Sequence, residues 1–396
     1  MDDRELGQRI AYWRRRRGLT QEIFADRLGR SKSWVEKIER GARSAGRLAM
    51  LDLVCEVLRI DLATLIGEEP RRRAAICLPD PQVERIQSAL ERYSFPSRDD
   101  RAADLGAVSR QLEHAWTAFE FADYDIVSLV LPALIEDAQH IHDIVKSEQS
   151  ARLLTEVYQI AASTLRKLGE HSLAWLAGDR GITLARQSGD MASVVATGFR
   201  IANALLSMGR SQQAQTLNVS LAENLQPEAN NEADRALYGH VLLQGAIAAA
   251  TAGNAAAVRD LTNEAADAAR YVSPNNNHYR LAFNYTNVLL HQVGALLALG
   301  EGGRAIEVAE QIDPEQIRML RRERRAALLV DTARAYSQTG NRDQAIRQLI
   351  EAETVAAREV QCRPLAQATI ADLLRRCQST PPLGLAQLAE RAGVRI

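Results

Sequence analysis

At 396 residues the chain is long enough for two or more domains, and 46% hydrophobic residues with only 5% aromatics suit closely packed helices rich in Ala and Leu. The formal net charge is −1, so any positive surface must be local rather than a property of the whole chain. Four scattered cysteines form no CxxC or Cys/His cluster, which excludes a zinc site and a disulfide framework, and no apolar run reaches membrane-span length.

In chain order, Leu6, Ile10 and Trp13 fall on one face of a first predicted helix, and Arg14 to Arg17 follow it. Gly18 to Gly41 then carries two short amphipathic patterns that meet at Leu28-Gly29-Arg30. Thr20 precedes the first pattern and can cap it with its hydroxyl; Gln21 sits in the first turn, where side chain and amides can meet a phosphate. Ile23, Phe24 and Leu28 are spaced to face a small core, and Gly29 supplies a permissive turn. Ser31 is a second N-cap candidate. Val35 and Ile38 point inward, which leaves Lys32, Ser33, Trp34 and Lys37 outward. Arg40 and Arg43 lie at the end of that helix, within reach of phosphates. Two closing helices are expected over Leu48 to Leu58 and Leu62 to Ile66. This is the sequence form of a helix-turn-helix, whose second helix can enter the major groove. Residues 1–47 hold 13 Lys/Arg against 7 Asp/Glu, so positive charge gathers where phosphate binding needs it. Arg14 to Arg17 either add to that charge or form a solvated helix face.

The stretch Gly18-Leu19-Thr20-Gln21, with Ala25, Leu28-Gly29, Ser31, Val35, Ile38-Glu39 and Gly41, resembles the Cro/repressor-type (XRE) helix-turn-helix family. The resemblance spans roughly residues 4–67. It implies base contacts from Lys32, Ser33 and Lys37, and backbone contacts from Gln21, Ser31, Trp34, Arg40 and Arg43. Lysines at such places suit guanine O6 and N7. Trp34 departs from the family pattern and either packs on sugar and phosphate or belongs to the core.

Residues 68–80 read as a hinge, with Pro70, three arginines (Arg71, Arg72, Arg73) and Leu78-Pro79-Asp80-Pro81. A short helix over Gln82 to Tyr93 and a break at Phe95-Pro96-Ser97 follow. From about residue 101 helical periodicity is almost continuous. It repeats about a turn glycine at Leu168-Gly169, Met208-Gly209, Ala252-Gly253, Leu299-Gly300 and Thr339-Gly340, at intervals of 40, 44, 47 and 40 residues. Ala174, Ala214, Val258, Ala305 and Ala345 stand five residues beyond each glycine, where two helices would cross closely. Phe119 to Ala138 is a divergent unit turning at Asp123-Tyr124-Asp125, and residues 365–392 supply two closing helices. Helix pairs repeated at this length mark an α-solenoid. Tyr336, Gly340, Ala345, Leu349 and Ala352 resemble the tetratricopeptide (TPR) pattern, with Gly300, Ala305 and Ala309 matching in the unit before. The expected fold is therefore all-α: a five-helix helix-turn-helix domain at 1–67, a linker at 68–100 and a TPR-like α-solenoid for sensing and dimerisation at 101–396.

In a TPR-like superhelix the first helix of each pair lines the concave face. Counting back from the glycines places Gln159, Ser163, Arg166, Phe199, Asn203, His240, Leu243, Asn287, Arg334 and Ser337 there. Asn and Gln suit a peptide backbone, and Arg166 or Arg334 can pair a carboxylate; the plain alternative is that they solvate the groove. Ser273 to His278 is either a lid or a long connection. Arg321 to Arg325 is a solvated helix start or an extension of the DNA footprint.

No Walker loop, GxGxxG, HExxH or GxSxG is present, so no enzyme is expected, and no cofactor. His140 and His142 lie two apart and point to different helix faces, which argues against a metal site. A helix-turn-helix followed by TPR-like repeats resembles peptide-sensing regulators of Gram-positive bacteria and related actinobacterial regulators. That resemblance implies a cytoplasmic, nucleoid-associated homodimer on a palindromic double-stranded DNA operator, modulated by a peptide or small-molecule signal. The other reading is a DNA-tethered scaffold that recruits a partner protein. The absence of an N-terminal signal peptide and the scattered thiols fit a cytoplasmic location.

Overall fold

The computed structural model describes residues 3–17, 19–44, 48–58, 60, 62–66, 81–92, 104–226, 231–377 and 380–394. The predicted hinge at 68–80 and the break at 95–97 lie outside them. Every regular element described is helical.

Five helices form the N-terminal domain: α1 (Asp3–Arg16), α2 (Gln21–Arg27), α3 (Lys32–Glu39), α4 (Leu48–Leu58) and α5 (Leu62–Ile66). Leu6, Ile10, Trp13, Phe24, Leu28, Val35, Ile38, Val54, Leu58 and Leu65 make one buried cluster. Thr20 Oγ1 accepts from the Ile23 amide and Ser31 Oγ from the Trp34 amide, each at 3.2 Å, so both hydroxyls cap their helices. Ile23, expected in the core, is instead 45% exposed. Phe24, Ala25 and Leu28 already fill the inward stripe of a seven-residue helix.

Three of the four arginines in the run 14–17 are also turned away from the expected surface role, while Arg15 stays exposed. Arg14 is buried, with Nε and Nη2 on the Glu39 carboxylate at 2.5 and 3.0 Å and Nη1 on Leu19 O at 2.7 Å. Arg16 pairs with Glu301 at 2.5 Å, and Arg17 donates to Leu58 O at 2.7 Å and to Gly300 O. A fork with a fixed carboxylate or carbonyl partner is worth more to packing than to a distant phosphate.

Beyond the linker, α6 (Pro81–Glu91) buries Ile86, Ala89 and Leu90 against α8 (Tyr124–Val145), so it belongs to the repeat core rather than to a free connection. α7 (Leu105–Glu120) and α8 form the divergent first unit, with Ala122 at φ +58° and Asp123 capping α8. Five antiparallel pairs follow: α9 (Glu148–Lys167) with α10 (His171–Ser188), α11 (Met191–Ser207) with α12 (Ser211–Leu225), and α13 (Glu232–Thr251) with α14 (Ala255–Ala269). Then come α15 (Tyr285–Ala298) with α16 (Gly302–Glu310) and, after α17 (Pro314–Met319), α18 (Arg322–Gln338) with α19 (Arg342–Val355). α20 (Ala357–Gln361), α21 (Pro364–Arg375) and α22 (Leu383–Arg391) close the chain's last core.

The repeated glycines have one local cause. Gly169, Gly209, Gly253, Gly300 and Gly340 sit at φ of 84, 81, 80, 68 and 86°. In each turn the next amide returns to a carbonyl five residues back, as Glu170 N does to Leu165 O at 2.8 Å. This is the Schellman ending, which only a residue tolerant of left-handed φ completes without strain. The small residues five positions on are buried at the crossings, with Ala174, Ala214, Ala305 and Ala345 at 0% exposure.

The solenoid closes on itself. The inner helices α7, α9, α11, α13, α15 and α18 follow one another, and α18 returns to touch α7. Lys167 Nζ lies 2.5 Å from Glu323 Oε1 and 2.9 Å from Glu359 Oε1, while the Tyr124 hydroxyl donates to Glu359. Leu168, Ala326 and Ala356 pack in the same seam. The Ser273–His278 segment is the second closure. Asn277 Nδ2 donates to Glu120 at 2.9 Å, Arg280 pairs with Glu113, and Arg321 also reaches Glu120. Tyr279, Arg280 and Ala282 hold φ of 51, 62 and 45°, a strain tolerated because these contacts fix the strap across the ring.

The helix-turn-helix domain docks on the rim. Tyr12 Oη donates to Gly253 O at 2.9 Å, Trp13 and Ile60 crowd Gly300, and Arg375 meets Asp52 at 3.3 Å. The domain therefore rests on two of the repeat turns themselves.

Candidate nucleic-acid interface and central cavity

The rim contacts come from α1, Asp52 and Ile60, which leaves the outer side of α3 open. Lys32, Ser33, Lys37, Arg40 and Arg43 are all exposed there, with Arg30 beside them. Ser31 is exposed but spends its hydroxyl on the cap. Gln21 is half-buried, and its amide donates to Glu39 Oε2 at 2.8 Å, so a phosphate would have to compete with that carboxylate. Trp34 packs its ring on the domain core, with the Arg30 guanidinium 5.7 Å from its centroid. Trp34 is half-buried, so part of its ring remains at the surface of α3. α3 thus presents a cationic edge held by Arg14 and Glu39 beneath it.

Inside the ring lies a cavity of about 310 Å³. Of the residues expected on the concave face, Ser163, Arg166, Phe199, Asn203, His240 and Arg334 line it. Gln159 and Asn287 do not. Gln159 is buried with Nε2 on Thr197 Oγ1 at 2.9 Å, between α9 and α11, and Asn287 is 1% exposed at the base of α15. Leu243 is core, and Ser337 turns to Asp372 at 3.3 Å. Each inner helix is covered by two neighbours and an outer partner, so only a narrow stripe of it sees the cavity; counting from the turn glycine is too coarse to find that stripe.

Sequence reasoning missed Arg9, Trp116, Arg200, Gln244, His291 and Arg324, all on the cavity wall. His240 and Gln244 stand four apart on one helix face, a signal that was present. Arg9 had none, because it reaches the cavity only through the docking of α1. Arg324 turns inward and donates to Leu281 O at 3.0 Å, while Arg321 and Arg322 stay exposed at the helix start, Arg321 reaching Glu120 and Arg322 lying over Phe121. His142 meets Ser150 at 2.9 Å and is not brought together with His140. Among the described residues no His, Cys, Asp and Glu cluster could hold a metal ion.

Arg200 is 6% exposed, with Nε on Ser163 Oγ at 3.2 Å and its guanidinium 4.5 Å from the Phe199 centroid and 5.6 Å from Trp116. Burial lowers its pKa to about 9, against the opposing pull of Glu156. Burial also lowers the Arg9 pKa. Gln244 Nε2 lies 3.2 Å from His240 Nε2 and 3.1 Å from His291 Nε2. One amide can donate to both rings only if both are neutral with their protons on Nδ1, an assignment made from this network. His291 Nδ1 then donates to Asn287 O at 2.8 Å, and His240 Nδ1 is buried without a partner.

Burial, then the neighbouring cation Arg324, lowers His291 to about 4; burial lowers His240 well below its usual range. The unfolded chain binds these protons near pH 6.5 and the fold does not, so their contribution is complete above pH 6.5 and falls away toward pH 4. For His291 alone the expected loss across that window is about 3 kcal/mol. Urea unfolding from pH 7 downward measures it, and the His291→Gln variant should show a flatter slope. Equal slopes in the two proteins would refute the assignment.

Residues 5–65 match the family model of a helix-turn-helix domain. No curated protein matches the chain. Among solved structures the chain is similar to Bacillus thuringiensis PlcR in complex with the peptide PapR7 and DNA, at 15% identity over 89% of this chain and 99% of that one, with a TM-score of 0.30. It is also similar to the apo form of the competence regulator ComR from Streptococcus vestibularis, at 14% identity over 95% of this chain and 99% of that one, with a TM-score of 0.27.

Proposed function

We propose that this helix-turn-helix protein is a sequence-specific DNA-binding transcriptional regulator whose ring of repeats binds a signal. One observation carries the reading: α3 offers an open cationic edge, while α1 of the same domain is keyed to the repeat turns and contributes Arg9 to the cavity wall. The two ends of the device are thus one small domain apart. Residues 1–67 are the DNA-reading unit, and residues 101–396 hold the signal and the self-association surface. A pair of heads would read half-sites roughly 34 Å apart, one helical turn. Signal binding shifts the population between docked and released heads by as much as the signal prefers one of them. The rim contacts offer a direct route for this shift.

Selection of bound fragments from random duplex DNA identifies the operator, and variants then test the footprint. Lys37→Ala is expected to cost about 1–3 kcal/mol at the operator and to relax base preference. Arg43→Ala should weaken all sequences alike and reduce the salt slope by about one. If no sequence is enriched, or Lys37→Ala loses the same on random DNA, sequence reading by α3 is wrong. Co-purification of a stoichiometric protein, with DNA affinity indifferent to any added compound, would favour the scaffold instead.

A further inference from the structure

We infer that residues 273–280, the strap between α14 and α15, are the gate of the central cavity, latched on α7 by Glu113 and Glu120. This rests on the reading of the ring as a signal site and names the way into it.

The link is longer than its ends require. α14 and α15 pack against each other, yet residues 270–284 join them, while α10 passes to α11 through Gly189 and Asp190 alone. Links between neighbouring helices usually take about 2–8 residues, and a longer one is commonly functional. Here the extra length crosses the ring to α7, past α9 and α11 in the order of the inner helices. One end of the strap faces inward, with Arg280 on the cavity wall beside Leu281 and Ala282. Ser273, Pro274 and Asn275 are exposed to solvent. A segment with the cavity on one side and water on the other is placed as a lid.

Root and tip of the strap are held differently. At the root, the Ser273 amide donates to Glu232 at 3.0 Å and the Tyr279 hydroxyl to Asp234 at 3.2 Å, both acids on α13. Val272, Leu281 and Phe283 are buried in the core of α13 and its neighbours, and Phe283 fills the space that a Cβ on Gly239 would need. Arg324 also holds Leu281 O at 3.0 Å. These residues are the hinges. At the tip, Asn277 Nδ2 donates to Glu120 at 2.9 Å and Arg280 pairs with Glu113, whose side chain is more than half exposed. Contacts so open to water are readily exchanged for it. Against them stands the hinge itself: Tyr279, Arg280 and Ala282 hold φ of 51, 62 and 45°. L-residues are strained in that region, and release of the tip lets the hinge relax. Buried anchors, a strained hinge and a weak latch make two discrete positions of the strap available.

Asn203→Cys places a thiol on the cavity wall of the full-length protein. Its modification by N-ethylmaleimide is followed by peptide mass spectrometry, which reads that position apart from the native cysteines. When closing is faster than labelling, the rate follows the open fraction. Glu120→Gln, which weakens the latch, should speed labelling by about tenfold. Ala282→Gly should slow it by about threefold, because glycine holds a left-handed φ without strain. Arg16→Gln, which loosens the helix-turn-helix domain from the rim, should leave the rate within about twofold. A rate unchanged in Glu120→Gln would overturn the inference. So would a rate raised by Arg16→Gln and not by Glu120→Gln, which would make the DNA-reading head the door. Where Glu120→Gln lowers global stability, Ala282→Gly decides, and faster labelling in it would refute the strained hinge. No DNA enters this experiment. Labelling indifferent to the strap, with operator binding intact, removes the gate alone; loss of sequence-specific DNA binding with the labelling result intact removes only the regulator.

Discussion

Lys167→Met is expected to destabilise the protein by about 3–5 kcal/mol. Lys167 is 5% exposed and holds two carboxylates, of which Glu359 is fully buried. Removing the ammonium leaves Glu359 with the Tyr124 hydroxyl and the more distant Arg363 as its partners. Burial pushes the Glu323 carboxyl up, yet Lys167 and Arg324 outweigh it and hold its pKa at about 2. The stabilisation is therefore present above the usual carboxylate range, near pH 4.5, and is lost as the pH falls toward 2. The methylene stem of Met fills the same space, so the loss reads charge and not a cavity. Urea unfolding at pH 7 measures it. Adding Glu359→Gln to Lys167→Met should recover more than about half of the loss, because the buried charge then leaves with its partner. A single-variant loss under about 1 kcal/mol, or a double variant no better than the single, would mean that the seam is held by its apolar contacts instead.

Gly7→Ala should disable the DNA-reading head while sparing the ring. In an ordinary helix Ala is better than Gly by about 1 kcal/mol, so the expected sign is the reverse of propensity. A Cβ on Gly7 would stand 2.1 Å from Ile38 O and 2.9 Å from Glu39 O. Both are backbone atoms, so no side-chain rotation relieves the overlap. α1 must move off the end of α3, and the Arg14–Glu39 fork that orients α3 goes with it. The cost is about 3 kcal/mol, the upper end for overpacking. Hydrogen exchange should show α1 to α5 losing protection while α9 to α19 keep theirs, and operator affinity should fall with the head. Operator affinity within about twofold of the parent would show that α1 and α3 tolerate the separation.

The parts of this protein that its sequence determined are those made by neighbours in the chain. Thr20 and Ser31 cap their helices because each hydroxyl needs only the amide three residues on. The five turn glycines recur because a left-handed residue must end each inner helix. Caps and turns of this kind are enough to read an all-α chain with a helix-turn-helix and paired repeats. What only the tertiary structure decided is where the long side chains point. Arg16 meets Glu301, Lys167 meets Glu359, and Arg9 joins the wall of a cavity otherwise lined by residues between Trp116 and Leu365. An arginine beside an arginine looks alike in sequence whether it faces water, a buried carboxylate or a ligand. The choice rests on which faces a closed ring brings together, and ring closure is a long-range packing event, set by seams such as Leu168 against Ala326 and Ala356 that have no local signature.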